Sequence, residues 1–250
     1  MANGEGSMKL AAEPLYRQAA DLMIRNIASG IWAPGMRLPN EFDLAEEFGV
    51  SQGTIRKALG ALEARGLLTR APGRGTVVAR TTEEEALFAF FRMRDDKGRM
   101  LVPEPLSETL AFSTPTEADH ALWPGEERLF HIRRVRQARG APLALELIWL
   151  PVGRLAGGSP GGAFTLPEGP LPNSLYPYFQ DRFGLSITAM DEALAAVCAT
   201  SEQAQALGVA AATPLLEVRR TSFDPAGDPV ERRLSYYLTD AGRYAVSLSR

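Results

Sequence analysis

The sequence predicts an α+β chain in two parts: three short helices closed by a two-stranded ribbon, then an antiparallel sheet carrying a few short helices. Up to about residue 80, apolar residues recur at helical spacing between glycine stops; beyond it, runs of strand formers alternate with turn residues. Charge changes sign at the same place. Residues 1–80 hold 10 Lys and Arg against 8 Asp and Glu, net +2, whereas residues 81–250 hold 17 against 22, net −5.

After Pro14, the residues Leu15, Ala19, Leu22, Ile24 and Ile27 recur at helical spacing, and Gly30 stands where such a helix stops. Past the turn WAPGMRLP, Asn40 can cap a second helix with Asp43 three residues on; its apolar side is Phe42, Ala45 and Phe48, and it ends at Gly49. Ser51 caps a third, with core positions Ile55, Ala58, Leu59 and Leu62, running to Gly66. The short connection around Gly49 and Val50 gives helices two and three the geometry of a helix-turn-helix. Residues 67–70 and 76–78 then read as two strands joined by Ala71-Pro72-Gly73-Arg74-Gly75, a wing.

In a helix-turn-helix the N-terminal residues of the second helix are aimed into the DNA major groove, where base edges carry a full donor and acceptor code. Here those residues are Ser51, Gln52, Gly53, Thr54, Arg56 and Lys57. Gln52 can read adenine or hold a phosphate. Ser51 and Thr54 suit phosphate oxygens near a helix N-terminus, Arg56 lies one turn from Gln52 on the same face, and Lys57 suits the DNA backbone. Arg74 at the ribbon tip can enter the neighbouring minor groove, with Gly75 permitting close approach of the backbone. Residues 51–80 hold six basic side chains and one acidic, a nucleic-acid footprint inside a chain of pI about 5.6. On charge alone, a solvated face is the alternative.

The span from Pro14 to Val78 resembles the winged helix of GntR-type transcriptional regulators. Its landmarks are Leu-Pro-x-Glu, Phe-Gly-Val-Ser, Thr-Ile-Arg-x-Ala-Leu and Gly-x-Gly-Thr, in that order. Two departures stand out: that family usually has arginine where Gln52 stands, and many members have it at Phe42. Their loss implies a different operator or weaker phosphate anchoring, and leaves Arg56 and Arg74 as the principal cations.

From residue 81 onward, LFAFFRMR (87–94), LSETLAF (106–112), RLFHIRRVRQ (128–137) and PLALELIWLP (142–151) read as strands, the last two as a hairpin. Residues 157–172 read as a long loop, and helices are expected over 174–183 and 201–207. Further strands are expected in ITAMDEALAAV, LLEVRRTSF, VERRLSYYL and YAVSLS, with a hairpin turn at 224–229. Strands mixed with short helices argue an α+β domain around an antiparallel sheet. Arg134 and Arg136 share one side of their strand, and Glu146 lies among apolar residues on the partner strand, where a buried carboxylate needs a partner. The arginines can be that partner in a structural salt bridge. Alternatively the three line a cavity where guanidinium groups hold an anion and Glu146 takes a hydroxyl or amine.

This second part is similar to the effector-binding (UTRA) domain of the HutC-type branch of GntR regulators, a fold shared with chorismate lyase. The matching landmarks are R-V-R, then Gly-x-Pro and E-x-x-x-L-P, then S-L-Y, G-x-P-V-E and a late R-Y. Carried over by position, the resemblance implies effector contacts at Arg134, Arg136, Glu146, Ser174, Glu231 and Tyr237.

The expected organisation is a disordered tail over 1–12, a winged helix-turn-helix DNA-binding domain over 13–80, a linker over 81–86 and an effector-binding and dimerisation domain over 87–250. Together these imply a ligand-responsive regulator, by family habit a repressor. It would be a homodimer on a palindromic double-stranded DNA operator, released by a small anionic metabolite. A chorismate-lyase-like enzyme is the alternative reading of the second part, and a ligand-free architectural DNA binder is a third. Against the enzyme, neither His120 nor His131 sits in a recognisable acid–base or nucleophile arrangement, and the sequence has no phosphate-cradling glycine motif. The lone Cys198 with two histidines makes no metal set, and no cofactor is expected. No apolar run approaches eighteen residues and the N-terminus lacks a secretory profile, so a cytoplasmic protein is expected.

Overall fold

The computed structural model describes residues 13–71, 73, 75–82, 91–156, 163–240 and 242–246. The expected tail at 1–12, most of the expected linker, the first half of the 87–94 strand and Arg74 at the wing tip lie outside the described residues.

Three helices open the chain: α1 (Leu15–Ala28), α2 (Glu41–Phe48) and α3 (Gln52–Ala64). Asn40 caps α2, its side-chain oxygen accepting from the amides of Phe42 (2.9 Å) and Asp43 (3.0 Å). Gly49 closes that helix at φ 63°, a left-handed conformation suited to glycine. Ser51 caps α3, accepting from the Thr54 amide at 3.2 Å. The core of this unit is Ala19, Met23, Ile24, Ile27, Leu44, Ile55, Ala58, Leu59 and Leu62, sealed by Trp32, Leu38 and Leu68. Three residues expected on apolar faces are instead exposed: Leu15 (58%), Leu22 (47%) and Phe42 (62%). Met23 and Leu44, one or two positions away, take the inward direction, because α1 and α2 are rotated on α3 relative to the face the sequence pattern indicated. Strands β1 (Leu68–Ala71) and β2 (Gly75–Val78) form the wing, and Met36 and Leu38 extend it through backbone bonds to Val78 and Thr76.

The second unit is a six-stranded, wholly antiparallel sheet in the order β4-β5-β6-β9-β8-β7. Its strands are β4 (Glu104–Ser113), β5 (Leu129–Ala138), β6 (Ala141–Pro151), β7 (Ala189–Cys198), β8 (Pro214–Phe223) and β9 (Pro229–Tyr237). A small ribbon pairs β3 (Met93–Arg94) with β10 (Arg243–Tyr244); of the described residues in the two expected strands, Phe91, Arg92, Ala245 and Val246 lie outside it. Helices α4 (Glu117–Leu122) and α5 (Val152–Ala156) were not expected; α5 ends directly before the expected loop at 157–172. The expected helices are present as α6 (Leu175–Phe183) and α7 (Ser201–Leu207).

Alternation sorts the strands by face. Val135, Leu145, Leu215 and Tyr236 pack under α7 with Ala204 and Leu207. On the opposite face, Phe130, Ile132, Ile148 and Leu150 form an apolar layer with Tyr176, Phe179 and Phe183 of α6. A second apolar cluster, with Phe91, Met93, Ala144, Val218 and Tyr237, sits further along the same face. Between the two lies a belt of charge running strand to strand. Register sets it: Glu108 is opposite Arg134, Arg134 opposite Glu146, Arg233 opposite Arg220, and Arg220 opposite Glu192.

Candidate functional site

Two places carry the residues singled out from the sequence. On the first unit, Ser51, Gln52, Arg56 and Lys57 are exposed on one side of α3, and Thr54 is half-buried. The hydroxyls of Ser51 and Thr54 lie 2.9 Å apart, so the cap that starts the helix also holds two hydroxyls at its N-terminus. Arg56 is not loose: its Nε and Nη2 both donate to Glu41 Oε2, at 3.0 and 2.7 Å. Gly75 is exposed at φ 78°, and a Cβ there would meet Arg37 Nε at 3.3 Å. Exposed Arg37 therefore lies against the base of the wing, a cation that the helix and strand patterns did not single out.

The second place is a cavity of about 50 Å³ in the charged belt, lined by Arg136, Glu146, Arg220, Arg233 and Tyr237 from the sheet, by Asn173 to Tyr176 from the start of α6, and by Phe91 and Pro103. Four of the six residues expected to contact an effector line it: Arg136, Glu146, Ser174 and Tyr237. The other two sit behind its wall. Arg134 is 0% exposed, its Nη2 donating to the carbonyls of Leu171 (3.2 Å) and Pro172 (2.8 Å) and its Nε 2.5 Å from Glu108 Oε2. Glu108 in turn accepts from the Leu171 amide at 2.8 Å. This pair pins the chain that precedes α6, which is why Arg134 does not reach the cavity. Glu231, also fully buried, is consumed by Tyr176 Oη (3.0 Å), Ser222 Oγ (3.1 Å) and Arg233 Nη2 (2.9 Å).

Arg136 is held differently. Its Nη2 donates to Asn173 Oδ1 at 2.7 Å and its Nη1 to the Asn173 carbonyl at 3.3 Å; Glu146 Oε2 is 3.4 Å away. Its Nε is buried with no hydrogen-bond partner. Asn173 thus makes the two shorter bonds to this guanidinium, and the Glu146 carboxylate a longer third. Burial alone would raise the Glu146 carboxyl, but Arg136, Arg233 and Arg134 reverse this and hold it below its ordinary value. Burial, reinforced by Glu146, pushes the Tyr237 phenol up to about 12, so it is a neutral hydroxyl facing the cavity. Arg220 and Arg233, which sequence reasoning missed, were signalled by period-two alternation: Arg233 shares a strand face with Glu231 and Tyr237, and Arg220 with Ser222.

Helix α6 joins this cavity to the first unit. Ser174, Leu175 and Tyr176 line the cavity, and four residues beyond Tyr176, about 6 Å by helical rise, Gln180 Oε1 accepts from the Thr81 amide at 3.0 Å. Asp181 pairs with Arg80, and Arg65 at the end of α3 donates to the Pro225 carbonyl at 3.1 Å.

A winged helix-turn-helix followed by a sheet domain with a charged cavity defines a ligand-sensing DNA-binding regulator, and comparison with known proteins agrees. The gntR family of bacterial regulatory proteins matches residues 15–78, and the UTRA domain matches residues 106–243. The chain belongs to the GntR family of transcriptional regulators, in its UTRA-containing, HutC-type branch, and is a regulator rather than an enzyme. It is 32% identical over 230 residues to the HTH-type transcriptional repressor NagR of Bacillus subtilis, covering 91% of each chain. It is 29% identical to the mannosyl-D-glycerate transport/metabolism system repressor MngR of Escherichia coli K12, covering 95% of this chain and 97% of that one. Among solved structures, the ligand-binding domain of a GntR-family regulator from Bordetella bronchiseptica aligns with TM-score 0.53 at 29% identity, over 64% of this chain and 98% of that one. No helix among the described residues is long and apolar enough to cross a membrane.

Proposed function

We propose that this chain is a cytoplasmic, homodimeric repressor that leaves a palindromic operator when a small anionic metabolite enters the charged cavity. The carrying observation is Arg136, buried, with an unpartnered Nε and with its two shorter bonds on a neutral asparagine, the Glu146 carboxylate pairing with Nη1 at 3.4 Å. Such a group favours an incoming carboxylate, sulfonate or phosphate, because an anion adds charge attraction and a bidentate geometry that a neutral amide does not supply. Glu146, Ser174, Tyr237, Arg220 and Arg233 complete the lining, and Arg134 and Glu231 support it from behind.

A cavity of about 50 Å³ holds little more than a water or two. A metabolite must therefore displace Asn173, and the displaced segment leads directly into α6. Movement of α6 is then felt at Arg80 and Thr81, just beyond the wing strand. The ligand acts by its differential affinity for the two placements of the winged helix. On DNA, Ser51, Gln52, Thr54, Arg56 and Lys57 face the major groove, Arg74 and Gly75 the minor groove, and two copies meet half-sites one helical turn apart.

The test is fluorescence anisotropy of the full chain on a palindromic duplex selected from a random pool, with and without anionic metabolites found by thermal shift. Operator binding lost on adding one such metabolite supports the reading. If no duplex is preferred over scrambled DNA, the reading fails.

A further inference from the structure

The pair Glu41–Arg56 joins two helices fifteen residues apart in sequence, on the exposed face of the helix-turn-helix. Both of its bonds leave from one side of the guanidinium, Nε and Nη2, and both end on a single oxygen, Glu41 Oε2. An arginine has five N–H groups in a fixed plane. Committing Nε and one N–H of Nη2 leaves the fork made by Nη1 and the second N–H of Nη2, with the side chain 64% exposed. That fork is the edge that pairs with O6 and N7 of guanine in the major groove. Glu41 is itself anchored: it is the first residue of α2, and Asn40 fixes the turn before it through the Phe42 and Asp43 amides. Asn40 Nδ2 also binds Asp43 Oδ2 at 2.7 Å, which holds the neighbouring carboxylate on the cap rather than on Arg56.

We propose that Glu41 is a specificity-determining positioning residue, which holds Arg56 so that its free fork reads one guanine in each operator half-site. Charge gives the proposal its distinctive consequence. The pair is neutral, so it adds little to phosphate attraction and counterion release; Lys57 and the wing cations supply that. Without Glu41, Arg56 becomes an unrestrained cation that reaches for the nearest phosphate. The loss is then one of discrimination rather than of affinity for DNA in general. The inference rests on the reading that α3 enters the major groove.

The experiment selects bound sequences from a random duplex pool with the full chain as wild type, E41A, E41Q and R56A, followed by salt titrations on the selected and a scrambled duplex. The wild type is expected to fix one G·C pair at symmetric positions. E41A should relax that position alone, lower the ratio of operator to scrambled affinity about tenfold or more, and steepen the salt dependence by about one unit of log–log slope. E41Q, which keeps shape and one acceptor, should fall between, and R56A should relax the same position without the steeper slope. Circular dichroism on each variant separates misfolding from lost discrimination. If E41A keeps every base preference and the wild-type salt slope, the pair only fastens α2 to α3 and the proposal is overturned. If the wild type itself selects no sequence, the reading of α3 fails first and takes this inference with it.

Discussion

The amide of Thr81 donates to the side-chain oxygen of Gln180 at 3.0 Å, tying the segment just after the wing to the helix whose first turn lines the charged cavity. Arg80 beside it pairs with Asp181. On the proposed function, these contacts give effector binding a short route along α6 to the DNA-binding unit.

Breaking that route should uncouple the two activities. Arg80 and Asp181 are both more than half exposed, so their pair contributes no more than a fraction of a kcal/mol to stability. The double variant Q180A/D181A is therefore expected to keep near-normal operator affinity while needing at least several-fold more effector for release. Anisotropy on operator DNA, titrated with effector, checks this; an unchanged half-release concentration removes α6 from the account.

Arg134 and Arg136 should behave as opposites despite lying two residues apart. Arg134→Ala leaves Glu108, its side chain only 11% exposed, without its cation and frees residues 171–173, with a loss of about 3 kcal/mol or more in urea unfolding. Arg136→Ala should unfold at closer to the wild-type midpoint yet fail to release operator at any effector concentration. Equal destabilisation with equal loss of response would contradict separate roles for the two arginines.

Asn173→Ala removes the neutral partner of Arg136 and the bond from Asn173 Nδ2 to the Pro103 carbonyl at 2.8 Å. The cavity should open more readily, so calorimetry is expected to give a roughly fivefold or greater gain in effector affinity, about 1 kcal/mol. Weaker binding instead makes Asn173 a ligand contact.

Two groups of the cavity contribute to the pH profile at its acid and alkaline ends. Glu146 is held below its ordinary carboxyl value, so its contribution to stability is present above the unfolded value near 4.5 and is lost as pH falls through the lower folded value. Tyr237 is raised to about 12, so stability is retained below the unfolded value of 10 and declines as pH rises from 10 to 12. Thermal melts should show both shoulders, and Tyr237→Phe should reduce the alkaline one.

Much of this was legible in the residues themselves. The caps Asn40 and Ser51, the stop at Gly49 and the hairpin that sets Arg134 opposite Glu146 are local features, and local chemistry decides them. Helix rotation was not legible: Phe42 and Leu44 differ by two positions, and only packing on α3 sends Leu44 inward. Nor could alternation separate Arg134 from Arg136, which share a face. What separates them is Glu108 on the neighbouring strand and carbonyls some forty residues away, contacts made only once the sheet has closed. Arg220 and Arg233 showed the right alternation but no local reason to prefer them over the other arginines of β8 and β9.

On the proposed function, a small anion held at Arg136 releases this regulator from DNA. The most direct test is the operator affinity of wild type and Arg136→Ala, each measured with and without the metabolite that raises the wild-type melting temperature. The metabolite is expected to weaken wild-type binding by about tenfold or more and to leave Arg136→Ala bound. Release of both proteins at the same metabolite concentration would contradict this.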